Sequence, residues 1–187
     1  RRGQWARTGA DLHLLGAGGS SLALSLYLIN KKKAGGDVPS RILVSNRSEP
    51  RLREMREIHK KVGTAIKFEY HHCPEPADND RIVSLLKPAS LIANATGLGK
   101  DRPGSPLTDS VRFPEGAVVW DFNYRGDLIF LDQARARQKR GNLRIEDGWV
   151  YFIHGWTRVI AEVFHIDIPT SGPEFDVLSD LAASARS

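Results

Sequence analysis

A glycine cluster stands where a short apolar run gives way to a helical pattern, in the segment Leu14-Leu15-Gly16-Ala17-Gly18-Gly19-Ser20-Ser21. A chain that leaves a strand, turns within two or three residues and enters a helix needs positions without a Cβ at the turn. The amides of the first helical turn then have no intrahelical acceptor, and a diphosphate can satisfy them at the positive end of the helix dipole. The pattern predicts a strand-loop-helix unit that holds a pyrophosphate through Gly16, Ala17, Gly18, Gly19 and Ser20. The third glycine of G-x-G-x-x-G is missing, with Leu22 and Ala23 in its region, so the order of elements around the loop has to carry the argument.

That order is regular. Asp11 to Leu15 is a short apolar strand, and Ser20 to Lys33 a helix with Leu22, Leu26 and Ile29 on one face. Arg41 to Ser45 contains Ile42-Leu43-Val44, a buried-strand signal, followed by a helix over Arg51 to Val62 with Ser48 as N-cap and Pro50 in the first turn. A third strand is expected over Ala65 to Tyr70, a helix over Asn79 to Leu86, and a fourth strand over Leu91 to Ala95 that ends in Thr96-Gly97. Ala117 to Phe122 reads as a fifth strand, Phe130 to Arg140 as a helix, Leu143 to Glu146 as a sixth strand and Trp149 to His165 as a closing helix. In that helix Ile153, Val159, Ile160, Val163 and Phe164 are expected core. Strands alternating with helices at this spacing imply a mainly parallel, doubly wound Rossmann-type α/β sheet of about six strands with helices on both faces. Its binding loops lie at strand C-terminal ends, where Gly16 and Gly97 both fall.

Length and composition narrow the function. The 187 residues suffice for one α/β domain and not for two, so residues 1–187 are expected to form a single dinucleotide-binding domain. Trp149 to Ile153 is the longest strongly apolar stretch, far short of the roughly 20 residues a bilayer requires, which predicts no membrane partner and a cytoplasmic location. The net charge of +5 raises nucleic acid as a partner, but Lys31-Lys32-Lys33, Lys60-Lys61 and the Arg135 to Arg140 run sit at expected helix ends or on exposed faces, which argues against it. Cys73 is the only cysteine, so no intrachain disulfide forms. His71-His72-Cys73 suggests a metal, yet neighbours on a strand point to opposite faces and no second cluster accompanies them, so no metal is expected.

Dinucleotide-binding domains selective for NAD carry an acid after the second strand, where it meets the adenosine ribose. Here Asn46-Arg47-Ser48 occupies that place, with Arg51 four residues on. A carboxylate repels a 2′-phosphate and a guanidinium forks onto it, so Arg47 favours NADP. The competing interpretation is a solvated cation pair at a helix start, where the dipole opposes it unless an anion visits.

These residues resemble the C-terminal half of shikimate dehydrogenase and its quinate/shikimate dehydrogenase relatives. Gly16-Ala17-Gly18-Gly19 is similar to that family's G-A-G-G. Asn46-Arg47-Ser48 with Arg51 looks like its N-R-[TS]-x-x-R phosphate clamp, and Asn94-Ala95-Thr96-Gly97-Leu98-Gly99 like N-A-T-x-x-G beside the nicotinamide ribose. Asp121-Phe122-Asn123-Tyr124 fits D-x-x-Y and is followed by Phe130-Leu131, Ala134 and later Asp147-Gly148. The resemblance implies NADP as cofactor, Phe122 and Gly148 near its nicotinamide, Tyr124 toward substrate, and hydride transfer to or from a small cyclic hydroxy acid, with a homodimer as a candidate assembly.

Departures accompany the matches. The family's glutamine seven positions after the last glycine falls here on Gly155, which leaves His154 as the substrate-side candidate, and the proline and threonine after D-x-x-Y are replaced by Gly126 and Ile129. The family's catalytic Lys and Asp come from an N-terminal substrate domain that this chain is expected to lack, so no catalytic residue is assigned within it. A non-catalytic, dehydrogenase-like sensing module of a regulatory protein is the alternative. A likeness to glutamyl-tRNA reductase covers the glycine loop and Asn46-Arg47-Ser48 but fits Asp121 to Tyr124 poorly.

Overall fold

The computed structural model describes residues 3–184. A short helix α1 (Gln4–Thr8) leads into β1 (Leu12–Leu15), whose four residues are all buried. Then come α2 (Gly19–Lys33), β2 (Arg41–Asn46), α3 (Glu49–Val62), β3 (Lys67–His72), α4 (Pro76–Ser84) and β4 (Leu91–Asn94). The chain continues through β5 (Val118–Asp121), α5 (Ile129–Arg135), α6 (Gln138–Gly141), β6 (Arg144–Glu146), α7 (Trp149–Phe164) and α8 (Pro173–Ser184). The strands form one parallel sheet in the order β3-β2-β1-β4-β5-β6. This is the order of a Rossmann fold, so the expected doubly wound α/β class is what forms.

Alternation along the central strands supplies two cores. Leu15, Leu43, Ile92 and Val119 pack on one face with Val83 of α4 and Phe130 and Leu131 of α5. Leu12, Leu14, Ile42, Val44 and Ala93 pack on the other with Leu28 and Ile29 of α2 and Leu52 and Met55 of α3. A polar tie joins strands at their N-terminal ends: the fully buried Asp11 carboxylate accepts from Arg41 Nε at 3.0 Å and from Arg41 Nη2 at 2.6 Å.

Several elements differ from expectation. In α2 the expected Ile29 is buried and Leu22 and Leu26 pack half-buried against the same core, but the fully buried face also takes in Ser21, Ser25 and Leu28. The serine hydroxyls are satisfied locally, Ser21 Oγ donating to Gly16 O at 2.6 Å and Ser25 Oγ to Leu22 O at 2.8 Å. Ser48 is the N-cap residue of α3 as expected, but its side chain makes no capping bond. Strand β3 begins two residues late and runs on to His72, because pairing with all six residues of β2 sets its register, Arg41 opposite Lys67 and Asn46 opposite His72. Helix α4 starts three residues early on a reciprocal cap between Glu75 and Asp78. The expected helix over Phe130 to Arg140 breaks into α5 and α6 where Arg137 N turns back to Ala134 O.

The apolar row on α7 is not core. Of the five residues expected there only Ile153 is buried, while Val159, Ile160, Val163 and Phe164 are 38 to 68% exposed. Both sheet faces are already covered by α2 to α5, so the second half of α7 extends past the sheet. Helix α8 was not expected and meets α7 through Phe175, which stacks on His154 with ring centroids 4.3 Å apart. Among the described residues no helix is long and apolar enough to cross a membrane.

Two histidines are buried in this frame. His13 shares a 2.9 Å hydrogen bond with Ser45 Oγ, and burial, helped by the charge of His71, pushes its pKa down to about 3. His59 is held between Ser25 Oγ at 2.8 Å and Tyr70 OH at 2.6 Å, and burial pushes it down to about 4. Between those values and 6.5 the unfolded chain takes up protons that the folded chain refuses, so stability falls as pH falls. Asp121, raised by burial to about 6, works in the opposite sense between that value and 3.8 and cancels one of the two protons there. Urea unfolding should therefore show a loss of about 2 kcal/mol from pH 7 to pH 5, at roughly 1.4 kcal/mol per proton per pH unit. The loss should shrink in His59→Gln, and an unchanged midpoint at the two pH values would contradict the neutral, buried imidazoles.

Candidate functional site

Strands β1 and β4 are neighbours at the centre of the sheet, and the chain leaves them toward opposite sides, which opens a crevice at their C-terminal ends. Gly16 lies in it with φ +105°, its amide donating to Ser45 O at 2.7 Å. A Cβ there would meet Ala95 O at 2.9 Å, so this glycine is demanded by the fold itself. Ala17 N adds a 3.3 Å bond to Asn46 Oδ1. At Gly18 and Gly19, by contrast, a Cβ would meet nothing within 4 Å, and neither has a positive φ. Gly18 is the N-cap of α2, so the open space beside it is where the unpaired amides of that helix point.

Two recesses flank the loop. The larger, about 620 Å³, runs from Gly16, Ala17, Gly18 and Gly19 to Asn46, Arg47 and Arg51. Cys73 to Pro76 and Asn79 close its far wall, a contribution that only recognition of the Glu75–Asp78 cap would have located. Arg51 pairs with Glu54 at 3.5 Å on the surface, whereas Arg47 has no ion-pair partner among the described residues. The smaller recess, about 390 Å³, is bounded by Ser20, Gly97, Lys100 and Asp101 and by the rings of Phe122, Tyr124, Tyr151 and Phe152. Ala95 and Thr96 border both, so the recesses adjoin beneath the glycine loop.

Several expected site residues stand behind these walls rather than in them. Asn94 Nδ2 donates to Asp121 Oδ1 at 3.1 Å, while Asn94 Oδ1 accepts from Thr96 N and Thr96 Oγ1 at 3.1 and 2.7 Å. Asp121 Oδ1 also accepts from Asn123 N at 2.9 Å, and Asn123 Nδ2 donates to Leu98 O at 3.1 Å. One buried carboxyl thus ties together the two loops that edge the smaller recess. Burial raises it to about 6 and the nearby Asp147 charge adds to that, against the bonds from Asn123 and Asn94, and its Oδ2 has no partner.

Gly148 is buried beneath the recess as the N-cap of α7, and Ser48 supplies only a backbone oxygen, to Asn46 Nδ2 at 3.0 Å. His154 does not line either recess; its ring lies on Phe175. Tyr124 does line the smaller one, stacked on Phe152 with centroids 4.1 Å apart, and Phe122 stacks on Tyr151 at 4.9 Å. Tyr151 and Phe152 enter as site residues that the sequence did not single out. Among the described residues no group of three or more His, Cys, Asp or Glu side chains is placed to hold a metal ion.

A crevice with an anion-receptive loop, two surface arginines at one end and an aromatic slot at the other can hold an elongated ligand with phosphates at its middle. Comparison with known proteins agrees in kind. No family model matches the chain. A shikimate dehydrogenase (NADP(+)) of Methylocella silvestris is 28% identical over 162 residues, which is 86% of this chain and 50% of that protein. Another, of Streptococcus pneumoniae, is 26% identical over 133 residues, 71% of this chain and 44% of that protein. The neighbours consistently name shikimate dehydrogenase.

Among solved structures, the Listeria monocytogenes shikimate 5-dehydrogenase in complex with shikimate and NAD has a TM-score of 0.66 at 16% identity, covering 94% of this chain and 56% of that one. The Thermus thermophilus shikimate 5-dehydrogenase in complex with shikimate has a TM-score of 0.57 at 22% identity, covering 91% and 53%. The chain spans about half the length of the curated relatives it matches. The structural likeness confirms the fold.

One glycine behind the wall makes a sharp test. A Cβ on Gly148 would lie 2.1 Å from Phe122 O and 2.9 Å from Asn123 C, both backbone atoms that cannot step aside without moving the end of β5. Gly148→Ala should lower unfolding stability by about 1–3 kcal/mol, the range for overpacking, as read by urea denaturation. A Gly148→Ala protein as stable as the parent would show that α7 and β5 are not this close.

Proposed function

We propose that residues 1–187 are the nucleotide-binding domain of a shikimate dehydrogenase-like oxidoreductase, with NADP as its cofactor. The observation that carries this is the contrast among the loop glycines. Gly16 is required by packing, whereas Gly18 and Gly19 have open space where a side chain would sit and no backbone reason to be glycine. A glycine the fold does not need, at the mouth of a helix N-terminus, suits the close approach of a ligand diphosphate.

Under this proposal Gly16, Ala17, Gly18, Gly19 and Ser20 receive the diphosphate, and the larger recess takes the adenosine half. Arg47 and Arg51 then hold the 2′-phosphate, with Asn46 fixing the end of β2. Arg47 fits the role because its guanidinium is not neutralised by a neighbouring carboxylate. Asn94 and Asp121 hold Ala95, Thr96 and Gly97 in place, and Phe122 with Tyr151 walls the slot for the nicotinamide. When bound, the cofactor supplies or accepts the hydride, and the partner substrate is a small cyclic hydroxy acid whose carbinol carbon is oxidised or whose keto group is reduced. The relatives' names and bound ligands support this class.

Titration calorimetry with NADP⁺ and NAD⁺ tests the assignment. The parent chain should prefer NADP⁺, and Arg47→Ala should lose at least about tenfold in NADP⁺ affinity while leaving NAD⁺ affinity within about twofold, since one charge-assisted bond is worth about 1.5–3 kcal/mol. Gly18→Ala should weaken both nucleotides without lowering thermal stability, because its Cβ meets no protein atom. Equal affinity for the two nucleotides in the parent would overturn the Arg47 clamp.

A further inference from the structure

The smaller recess contains a cation that the proposed nucleotide contacts do not use. Among the described residues Lys100 is the only basic one that lines it, and its side chain is 26% exposed. Its ammonium lies 6.0 Å from the centroid of Tyr124 and 3.5 Å from Asp101 Oδ2, a carboxylate that is 61% exposed and therefore a weak partner. Arg125 approaches the same tyrosine ring, at 5.9 Å, but does not line the recess.

The backbone that carries Lys100 is held rigidly. Gly99 N donates to Arg102 O at 2.7 Å, Lys100 N to Gly97 O at 3.3 Å, and Leu128 N to Gly99 O at 3.3 Å. Gly97 and Gly99 have φ of +73° and +86°, values that glycine adopts without strain. Opposite them stands Gly126, also at positive φ, where a Cβ would lie 2.2 Å from Gly99 O and 2.9 Å from Lys100 Cα. A side chain at position 126 would collide with the Gly99–Lys100 backbone that carries the ammonium. Two loops have therefore been fitted together so that an ammonium stands at the open end of an aromatic slot.

We infer that Lys100 receives the carboxylate of the substrate in this cleft, and that Gly126 makes the room that places it there. The inference rests on the nucleotide-site proposal for where the nicotinamide lies and adds the charge that selects an acid over a neutral alcohol. A half-buried ammonium with one exposed, weakly held counter-ion gains from a ligand carboxylate that replaces it on the drier side. The aromatic walls accept the ring of a cyclic acid, and Tyr124 and Asn123 stand beside it with polar groups.

The test uses the full chain saturated with NADP⁺ and titrated with shikimate and, as the uncharged counterpart, with shikimate methyl ester. Shikimate should bind at least tenfold more tightly than the ester. Lys100→Met should remove that preference while leaving NADP⁺ affinity within twofold, and Lys100→Arg should restore part of it. Retention of the preference in Lys100→Met, absence of any preference in the parent, or no binding of either compound would overturn the role of Lys100. Failure of NADP⁺ itself to bind would overturn the nucleotide reading instead, and the same two titrations without nucleotide then judge Lys100 by the same criteria.

Discussion

The site depends on one close approach, that of Gly16 to the backbone of Ala95. Strands β1 and β4 pair directly, and the chain must exit β1 through the narrow space between the ends of β2 and β4. Gly16 achieves this by donating to Ser45 O on one side while passing Ala95 O on the other at a distance that excludes a Cβ. With that crossing fixed, α2 must begin at the crevice with its unpaired amides facing outward. The loop after β4 is drawn into the same contact, which is why Ala95 and Thr96 border both recesses. A bulkier residue at position 16 would disturb the sheet and the cleft together.

The second half of the cleft depends on a different device, a buried carboxyl rather than a missing side chain. Asp121 gathers Asn94 from β4 and Asn123 from the loop after β5, and each asparagine in turn holds a backbone group of the segment from Thr96 to Leu98. Burying a carboxyl with one oxygen unpartnered raises its pKa and costs stability, so the arrangement opposes the general trend of the core. What it secures is the relative position of two loops that share no regular hydrogen-bonded structure. The aromatic pairs Phe122–Tyr151 and Tyr124–Phe152 then fix the start of α7 against those loops, and Gly148 lets the helix approach closely enough to make the pairs.

The sheet was legible in the sequence because its central strands are continuous apolar runs separated by helical periods, the form a strand buried on both faces must take. Elements governed by partners rather than by their own pattern were less legible. Strand β3 carries Lys67, Glu69 and His71 at an edge, so its limits follow the length of β2 and not its own hydrophobicity. Helix α2 buries Ser21 and Ser25 beside the expected Ile29, which hydropathy does not foresee because their hydroxyls are satisfied by the local carbonyls of Gly16 and Leu22. The apolar row of α7 has the right period for a core helix, but period says nothing about whether an opposing surface exists, and Val163 and Phe164 are exposed. At the site, the glycine loop and Arg47 were visible because their residue types are dictated locally. Lys100, Cys73 and Tyr151 were not, since each reaches the cleft only through folding of a loop or through the packing angle of α7.

The positions where this chain departs from the pattern it resembles form a coherent set. Gly155 lies three and four residues after Phe152 and Tyr151, which line the smaller recess, so it belongs to the same face of α7. Beyond its chain neighbours and its own helix backbone, nothing lies within 4 Å of where its Cβ would be, and a glycine within a helix costs about 1 kcal/mol relative to alanine. The helix therefore gives up both stability and a side chain at the position that the pattern it resembles fills with glutamine. In the facing loop, Gly126 stands where the pattern has proline, and a Cβ there would collide with the Gly99–Lys100 backbone. Both departures border one space, the smaller recess, which Phe152 and Tyr151 line from α7 and Lys100 from the facing loop. Together they leave the α7 side of that recess to the aromatic rings of Tyr151 and Phe152 and its charged groups, Lys100 and Asp101, to the loop after β4.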